Sequence, residues 1–197
     1  METTEAIFKR KSVRNFLEKD IDRAIIEKIL EAGGRAPSPR NIQPWKYIVM
    51  EGKEKSAMIE VVREGIKKRK ADSALIKSYR TVVLLAEYSL EVLEEAPVCI
   101  FVLNTQNKFS LSQGMEEKIY EMMNLQAIGA AIQNMCLAAF DNGIGSLWIC
   151  DIHIAYSEIC DWLKTELALV AVIAFGYSSE NPEPRERKPL GEIAEWR

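Results

Sequence analysis

Two short basic clusters near opposite ends of the chain are the residues whose types and spacing point most directly to chemistry. In extended backbone alternate side chains point the same way, so in the stretch Arg10 to Phe16 the residues Arg10, Ser12 and Arg14 share one face. They offer two cations and a hydroxyl to a phosphate, with Lys11 lying across from them. Arg185 and Arg187 repeat the spacing in a segment kept non-helical by Pro182, Pro184 and Pro189. Taken alone, each cluster also reads as a solvated charged surface.

Three further groups invite a ligand reading. The segment APSPRNIQPW sets Ser38, Asn41 and Gln43 among Pro37, Pro39 and Pro44. Hydrogen-bonding side chains on a stiff loop, which its prolines keep from being helical, suit a flat heteroaromatic ligand; the alternative is a structural connection whose polar groups satisfy nearby backbone. Gly143, Gly145 and Ser146 form a tight passage from helix to strand, where missing side chains let a ligand approach the backbone. Trp148, Ile149, Cys150 and Asp151 follow, with amides available at a strand end. His153, the sole histidine, reads as a partly exposed structural residue rather than an acid or base, and Cys150 reads as small apolar filler. The run Lys67 to Lys70 reads as a wet helix face.

The elements that must position these groups follow from apolar periodicity. Thr3 or Thr4 is a cap for a short helix reaching Lys9, and Asp22 caps a second helix with Ile25, Ile26, Ile29 and Leu30 on one face, ended by Gly33 and Gly34. Lys46 to Met50, Pro97 to Leu103, Leu147 to Cys150 and Leu167 to Phe175 read as strands, the later three as buried ones. Lys53 to Glu95 reads as a set of charged helices, and residues 157–164 as a short one. A long helix from Glu116 to Asn142 closes at Gly143. Its uncharged stretch Met122 to Phe140 carries Asn124, Gln126, Gln133 and Asn134, which lipid penalises, so burial within protein is expected rather than a membrane span.

The chain of 197 residues, 48% of them hydrophobic, is expected to form a single domain over residues 1–197. A formal charge of -3 gives no strong positive field for nucleic acid or anionic membrane, so any anion site must be local. Four cysteines without a CxxC pair and one histidine suggest neither a zinc site nor a redox dithiol, and a cytoplasmic setting is the default. The N-terminus lacks the apolar core of a secretory leader. Short strands among longer helices argue for an α+β domain of three layers, helix, sheet and helix, and the absence of GxGxxG argues against the parallel dinucleotide fold.

Placed in order, RKSVRNF, ILEAGGRAPSPRNIQPWKYIV, APVCIFV, GAAIQNMCLAAFDNGIGSLWI and AFGYSSENPEPRERKPLGEI resemble the nitroreductase family of FMN enzymes over nearly the whole chain. The resemblance implies a mixed, mostly antiparallel sheet flanked by helices, and a homodimer with exchanged C-terminal arms and FMN at the subunit interface. It implies that Arg10, Lys11, Ser12 and Arg14 meet the FMN phosphate with Arg185 and Arg187. Pro37, Ser38 and Asn41 would reach the flavin of the other subunit, while Gly145, Ser146 and Trp148 to Asp151 pack along the ring. Electrons would pass from NADH or NADPH through flavin N5 to a small acceptor such as a nitroaromatic or quinone, in ping-pong fashion, with no protein side chain as the reacting group. A flavin carrier or sensor without turnover, and sister chemistries such as dehalogenation, heterocycle oxidation or flavin breakdown, are the alternatives. The family's Asn and Lys pair downstream of the first strand has no match between Lys53 and Arg80, and Cys150 stands where some members carry a polar or acidic residue.

Overall fold

The protein is described here by a computed structural model that covers residues 2–71, 73–108 and 114–197. Its centre is a four-stranded sheet of β1 (Trp45–Glu51), β2 (Val98–Lys108), β3 (Gly145–Ile149) and β4 (Leu167–Gly176), in the order β1-β2-β4-β3. Each neighbouring pair of these strands is antiparallel. The parallel element that makes the sheet mixed is a single bridge from Ser12 to Ser146 at its β3 edge.

Alternation along the two central strands divides the core. From β2, Cys99, Phe101 and Leu103 face one helical layer, made of α3 (Gly52–Ala71), α4 (Ser73–Glu95) and α6 (Tyr156–Leu163). Val98, Ile100 and Val102 face the other, made of α2 (Arg23–Gly34) and α5 (Met115–Asp141). On β4 the alternation changes phase at Val170, because Val102 pairs with Ala171 and Leu103 with Leu169, leaving one residue extra. That bulge sends Leu169 to the same layer as Val172 and Ala174, while Ala171, Ile173 and Phe175 meet α2 and α5. Three layers with the sheet between helices are thus the architecture expected from the sequence.

Several local expectations hold. Asp22 caps α2, its Oδ1 accepting from the Ala24 N–H at 2.8 Å, and Gly143 beyond α5 adopts φ 74°, the left-handed conformation that favours glycine. Others are corrected. The short helix α1 (Thr3–Lys9) takes Glu2 as its N-cap with no side-chain cap, so neither Thr3 nor Thr4 plays that part. The charged middle is helical as expected, in two long helices, of which α4 buries Val83, Ala86, Leu90 and Leu93. Lys67 to Lys70 is more than a wet face: Arg69 and Lys68 reach Glu158 on α6, and Lys70 reaches Glu87 on α4. Among the described residues no helix is long and apolar enough to cross a membrane.

The end of α4 is closed from outside by Lys55 of α3, whose Nζ donates to the carbonyls of Leu93 at 3.2 Å, Glu94 at 2.8 Å and Ala96 at 2.5 Å. A cation on the orphan carbonyls of a helix C-terminus satisfies them and complements the helix dipole. The Lys55→Met substitution keeps the aliphatic stem but removes these donors, and should lower stability by about 1–3 kcal/mol in urea unfolding.

Candidate functional site

Residues 10–16 leave α1 in extended form and run along β3, with the Val13 N–H donating to Ser146 O at 3.0 Å. The segment after β4 runs antiparallel to the same stretch: Leu17 N–H donates to Tyr177 O at 2.8 Å and Ser179 N–H to Asn15 O at 3.0 Å. Two ends of the chain therefore lie side by side at one sheet edge. The result is a cleft of about 380 Å³ lined by Arg10, Lys11, Ser12, Arg14, Arg185 and Arg187 together with Phe8 and Pro184. Lys11, expected across from its neighbours, lines the cleft with them. A contiguous, more apolar cleft of about 490 Å³ shares Phe8, Arg10 and Lys11, and adds Val13, Phe140, Ile144, Gly145 and Ser146.

The cations are left available. Among the described residues Arg10, Arg185 and Arg187 make no ion pair, and the Arg14 guanidinium donates only to the Ser12 carbonyl, at 3.3 Å. Lys11 Nζ rests on Asn181 Oδ1 at 3.2 Å. A group of guanidinium side chains outside ion pairs, outnumbering the one lining carboxylate, Glu183, and set beside an apolar wall, fits an amphiphilic phosphate ester: charge-assisted hydrogen bonds for the phosphate, apolar surface for the remainder.

The glycine passage works differently from the expectation. A methyl group on Gly145 would lie 2.8 Å from Val13 Cγ2, so Val13, not a ligand, occupies the space that glycine leaves. Ser146 is buried, and its hydroxyl bonds the Cys136 thiol, whose ionisation burial pushes upward against that bond and the Arg10 charge. The glycine is needed so that residues 10–14 can approach β3. Downstream, Trp148 is exposed with its indole edge 3.6 Å from the Cβ position of Gly129 on α5, and the Ile149 side chain is buried. Cys150 is exposed and is not core filler. Its thiol is nonetheless pushed up, first by the desolvating protein around it and also by the Asp151 charge, against a lowering bond to Trp148, so it is no activated thiolate. Asp151 accepts from the Ser89 hydroxyl at 3.0 Å, joining the strand end to α4. His153 is half-buried with its ring nitrogens on the carbonyls of Cys150 and Leu169, a structural role.

The proline loop contains one 3₁₀ turn, Pro39–Asn41, which the sequence reading excluded; a proline at the start of a turn lacks only an N–H that has no partner there. Arg40, Asn41 and Gln43 adopt φ of 51°, 58° and 52°, either side of a right-handed Ile42, a left-handed conformation that is costly for residues with a side chain. Ser38 Oγ accepts from the Gln43 N–H at 2.9 Å and so holds the loop's own backbone, while Pro37 and Asn41 are exposed. The loop lies beside the start of α5, and Pro39, Arg40 and Ile42 line a cleft of about 450 Å³ together with Met115, Ile119 and Met123. Phe140, which lines the apolar cleft, is at the other end of that helix. At 1.5 Å per residue, Phe140 is separated by roughly 25 to 38 Å along α5 from Met123 and Met115, so one chain does not bring its loop to its own basic cleft.

Residues 7–177 match the Nitroreductase family. The chain belongs to that family. Over 100% of its length it resembles the solved BluB-like flavoprotein of Clostridium difficile 630, with a TM-score of 0.81, 29% identity and 99% of that chain covered. The FMN and NADPH-dependent nitroreductase of Sphigopyxis sp. strain HMH shares the fold with a TM-score of 0.75 at 23% identity, covering 100% and 99% of the two chains. The 5,6-dimethylbenzimidazole synthase of Rhodospirillum rubrum is 25% identical over 190 residues, 96% of this chain and 85% of the relative. The nitroreductase-like fold expected from the sequence is therefore the fold observed. The sequence reading did not find Glu180 or Asn181, which line the more apolar cleft beside the basic one. The only signal was their place between Ser178 and Pro182, at the turn into the arginine segment.

Replacing Gly145 by alanine should drive Val13 and the following arginine away from β3. The expected result is a loss of phosphate-ligand affinity by roughly tenfold or more, with a fall in stability of about 1–3 kcal/mol from overpacking, read by ligand titration and urea unfolding.

Proposed function

We propose that this nitroreductase-family protein, an FMN-dependent NAD(P)H oxidoreductase, passes electrons from NADH or NADPH to a small planar acceptor such as a nitroaromatic or a quinone. The observation that carries the reading is the cleft that assembles Arg10, Lys11, Ser12 and Arg14 with Arg185 and Arg187, its arginines in no ion pair among the described residues. In it the guanidinium groups would hold the FMN phosphate. Gly145 and Ser146, and then Trp148, Ile149, Cys150 and Asp151, would border the ring, and bound FMN would supply hydride acceptance and donation. The chain's own part is to hold the phosphate, orient the ring and restrict what stacks on it. Ping-pong turnover follows if donor and acceptor use the same face in turn.

The site is completed by a second copy. Within one chain Pro37, Ser38 and Asn41 lie at the far end of α5 from the basic cleft, whereas a symmetric partner with antiparallel helices would bring its loop to that cleft. The surface suits such a partner. Met115, Ile119 and Met122 form an exposed apolar stripe at helical spacing on α5, and Leu190, Ile193 and Trp196 of the C-terminal segment, including α7 (Leu190–Ile193), are exposed as well. These are the surfaces of a homodimer with an exchanged arm.

A second reading, a sister chemistry in which flavin is the starting material rather than the carrier, draws on the likeness to 5,6-dimethylbenzimidazole synthase. One experiment separates the readings. The protein, loaded with FMN and freed of oxygen, is mixed with NADH or NADPH and then with a nitroaromatic or quinone. Bleaching that the acceptor reverses, with all FMN recovered, is the expected outcome. Flavin consumed on admission of oxygen would favour the sister chemistry, and bound FMN that neither nucleotide reduces would leave a carrier.

Two substitutions probe the assembly. Arg187→Ala should weaken FMN by about 10- to 100-fold, the worth of a charge-assisted bond of ~1.5–3 kcal/mol, and weaken riboflavin far less. Ile119→Asp should convert dimer to monomer in analytical ultracentrifugation and abolish FMN retention even though the basic cleft is untouched.

A further inference from the structure

We propose that Glu180 is a positioning residue for the phosphate cleft, a carboxylate that fixes the backbone beneath Arg14 without forming an ion pair with its guanidinium. The inference rests on the flavin reading above and extends it to a residue with no direct part in binding.

Residues 10–16 are pinned on one side by β3, through Ser12, Val13 and Ser146, and on the other by Tyr177 and Ser179. Between those contacts the N–H groups of Arg14 and Asn15 have no strand to pair with. The Glu180 carboxylate takes both. Its Oε1 accepts from Arg14 N–H at 2.6 Å and from Asn15 N–H at 3.3 Å, and its Oε2 accepts from Asn15 Nδ2 at 2.7 Å. The side chain's own backbone is held by Ser178, whose Oγ donates to Glu180 O at 2.5 Å and accepts from Glu180 N–H at 3.2 Å. The clasp thus spans from the first basic cluster to the turn that leads into the second, 166 residues away in sequence.

A carboxylate in a cationic cleft would ordinarily pair with an arginine and weaken the site for an anion. Here no salt bridge joins Glu180 to a guanidinium among the described residues, and its oxygens accept N–H groups of the segment instead. The charged groups sharing the cleft are Lys9, Arg10 and Lys11 from the first segment, with Arg14, Glu183, Arg185 and Arg187 beside them. Partial burial alone would raise the Glu180 carboxyl, but the Arg14 and Asn15 donors, with a smaller contribution from the Arg14 charge itself, outweigh it and hold the group below the ordinary carboxylate range. A lowered value means the clasp is intact at neutral pH and is lost as pH falls through that range.

The Glu180→Gln substitution is nearly isosteric, yet it turns one acceptor into a donor facing the Asn15 amide nitrogen. In the double variant N15D/E180Q the new amide nitrogen faces a carboxylate instead, and the remaining oxygen keeps the two backbone N–H groups. FMN and riboflavin affinities of the dimeric protein are measured by fluorescence quenching for wild type, E180Q and N15D/E180Q, with thermal melting as a control. The expected result is that E180Q weakens FMN by roughly tenfold and riboflavin by much less, and that the double variant recovers most of the loss. The wild-type advantage over E180Q should also shrink as pH falls toward the carboxyl's titration. Wild-type FMN affinity in E180Q, or equal loss of FMN and riboflavin, would overturn the proposal while leaving the flavin reading standing. A wild-type protein that binds neither flavin would overturn that reading and the proposal with it.

Discussion

The antiparallel pairing of β4 with both β2 and β3 is the constraint on which the rest of the structure depends. β4 is the last strand in the chain, yet it enters the sheet between two earlier ones, and its end at Gly176 lies opposite the start of β3 at Gly145. The chain leaving β4 is thereby delivered to the edge where residues 12 to 16 already lie. A cleft made from both ends of the chain follows from that strand order, since no helix or loop has to span the molecule to close it.

Close approach at this edge depends on glycine for steric reasons. Gly145 leaves room for Val13, and Gly176 leaves room for the Phe16 ring, which comes within 2.6 Å of where a Cβ would stand. Val13 and Phe16 are both buried in the same core as Leu147 and Ile149. Val13 thus anchors the segment from below while alternation turns Ser12 and Arg14 outward, whereas Phe16, buried, and Lys11, in the cleft, depart from that alternation. Packing energy and charge presentation are two consequences of one extended stretch. The burial of Val13 and Phe16 favours folding by a few kcal/mol, enough to hold like charges together at a surface that their mutual repulsion would otherwise loosen.

A different division of labour governs α5. Its middle and C-terminal turns supply Ile128, Ile132, Met135 and Ala139 to the core, while its first turns expose Met115, Ile119 and Met122. Those first turns also carry Glu116, Glu117, Lys118 and Glu121, so the exposed apolar side chains form a stripe set among charges, as at an interface with a polar rim. The strained left-handed loop at Arg40 to Gln43 sits on that same surface. Strain of this kind persists where surrounding structure over-determines it and is concentrated at functional positions.

Local periodicity made most of the elements legible. The capping of α2 by Asp22, the long α5 ended at Gly143, and the apolar runs of β2 and β4 follow from short-range rules of hydrogen bonding and burial, and all were readable in order along the chain. The candidate cleft was half legible: Arg10, Ser12 and Arg14, and separately Arg185 and Arg187, show their spacing without any fold. What local rules could not decide is which groups meet. Pairing of β4 between β2 and β3 is a non-local choice set by side-chain packing on two faces, and it alone brings Arg14 to Glu180. The role of Gly145 turned on the identity of its neighbour, Val13, and the exposure of Cys150 on the end of a sheet edge, neither of which a run of letters contains. The sequence by itself determined the elements, the charges and their alternation, because these depend on residues within a few positions of one another. Only the tertiary structure decided the site, because a cleft is a relation between segments far apart in the chain.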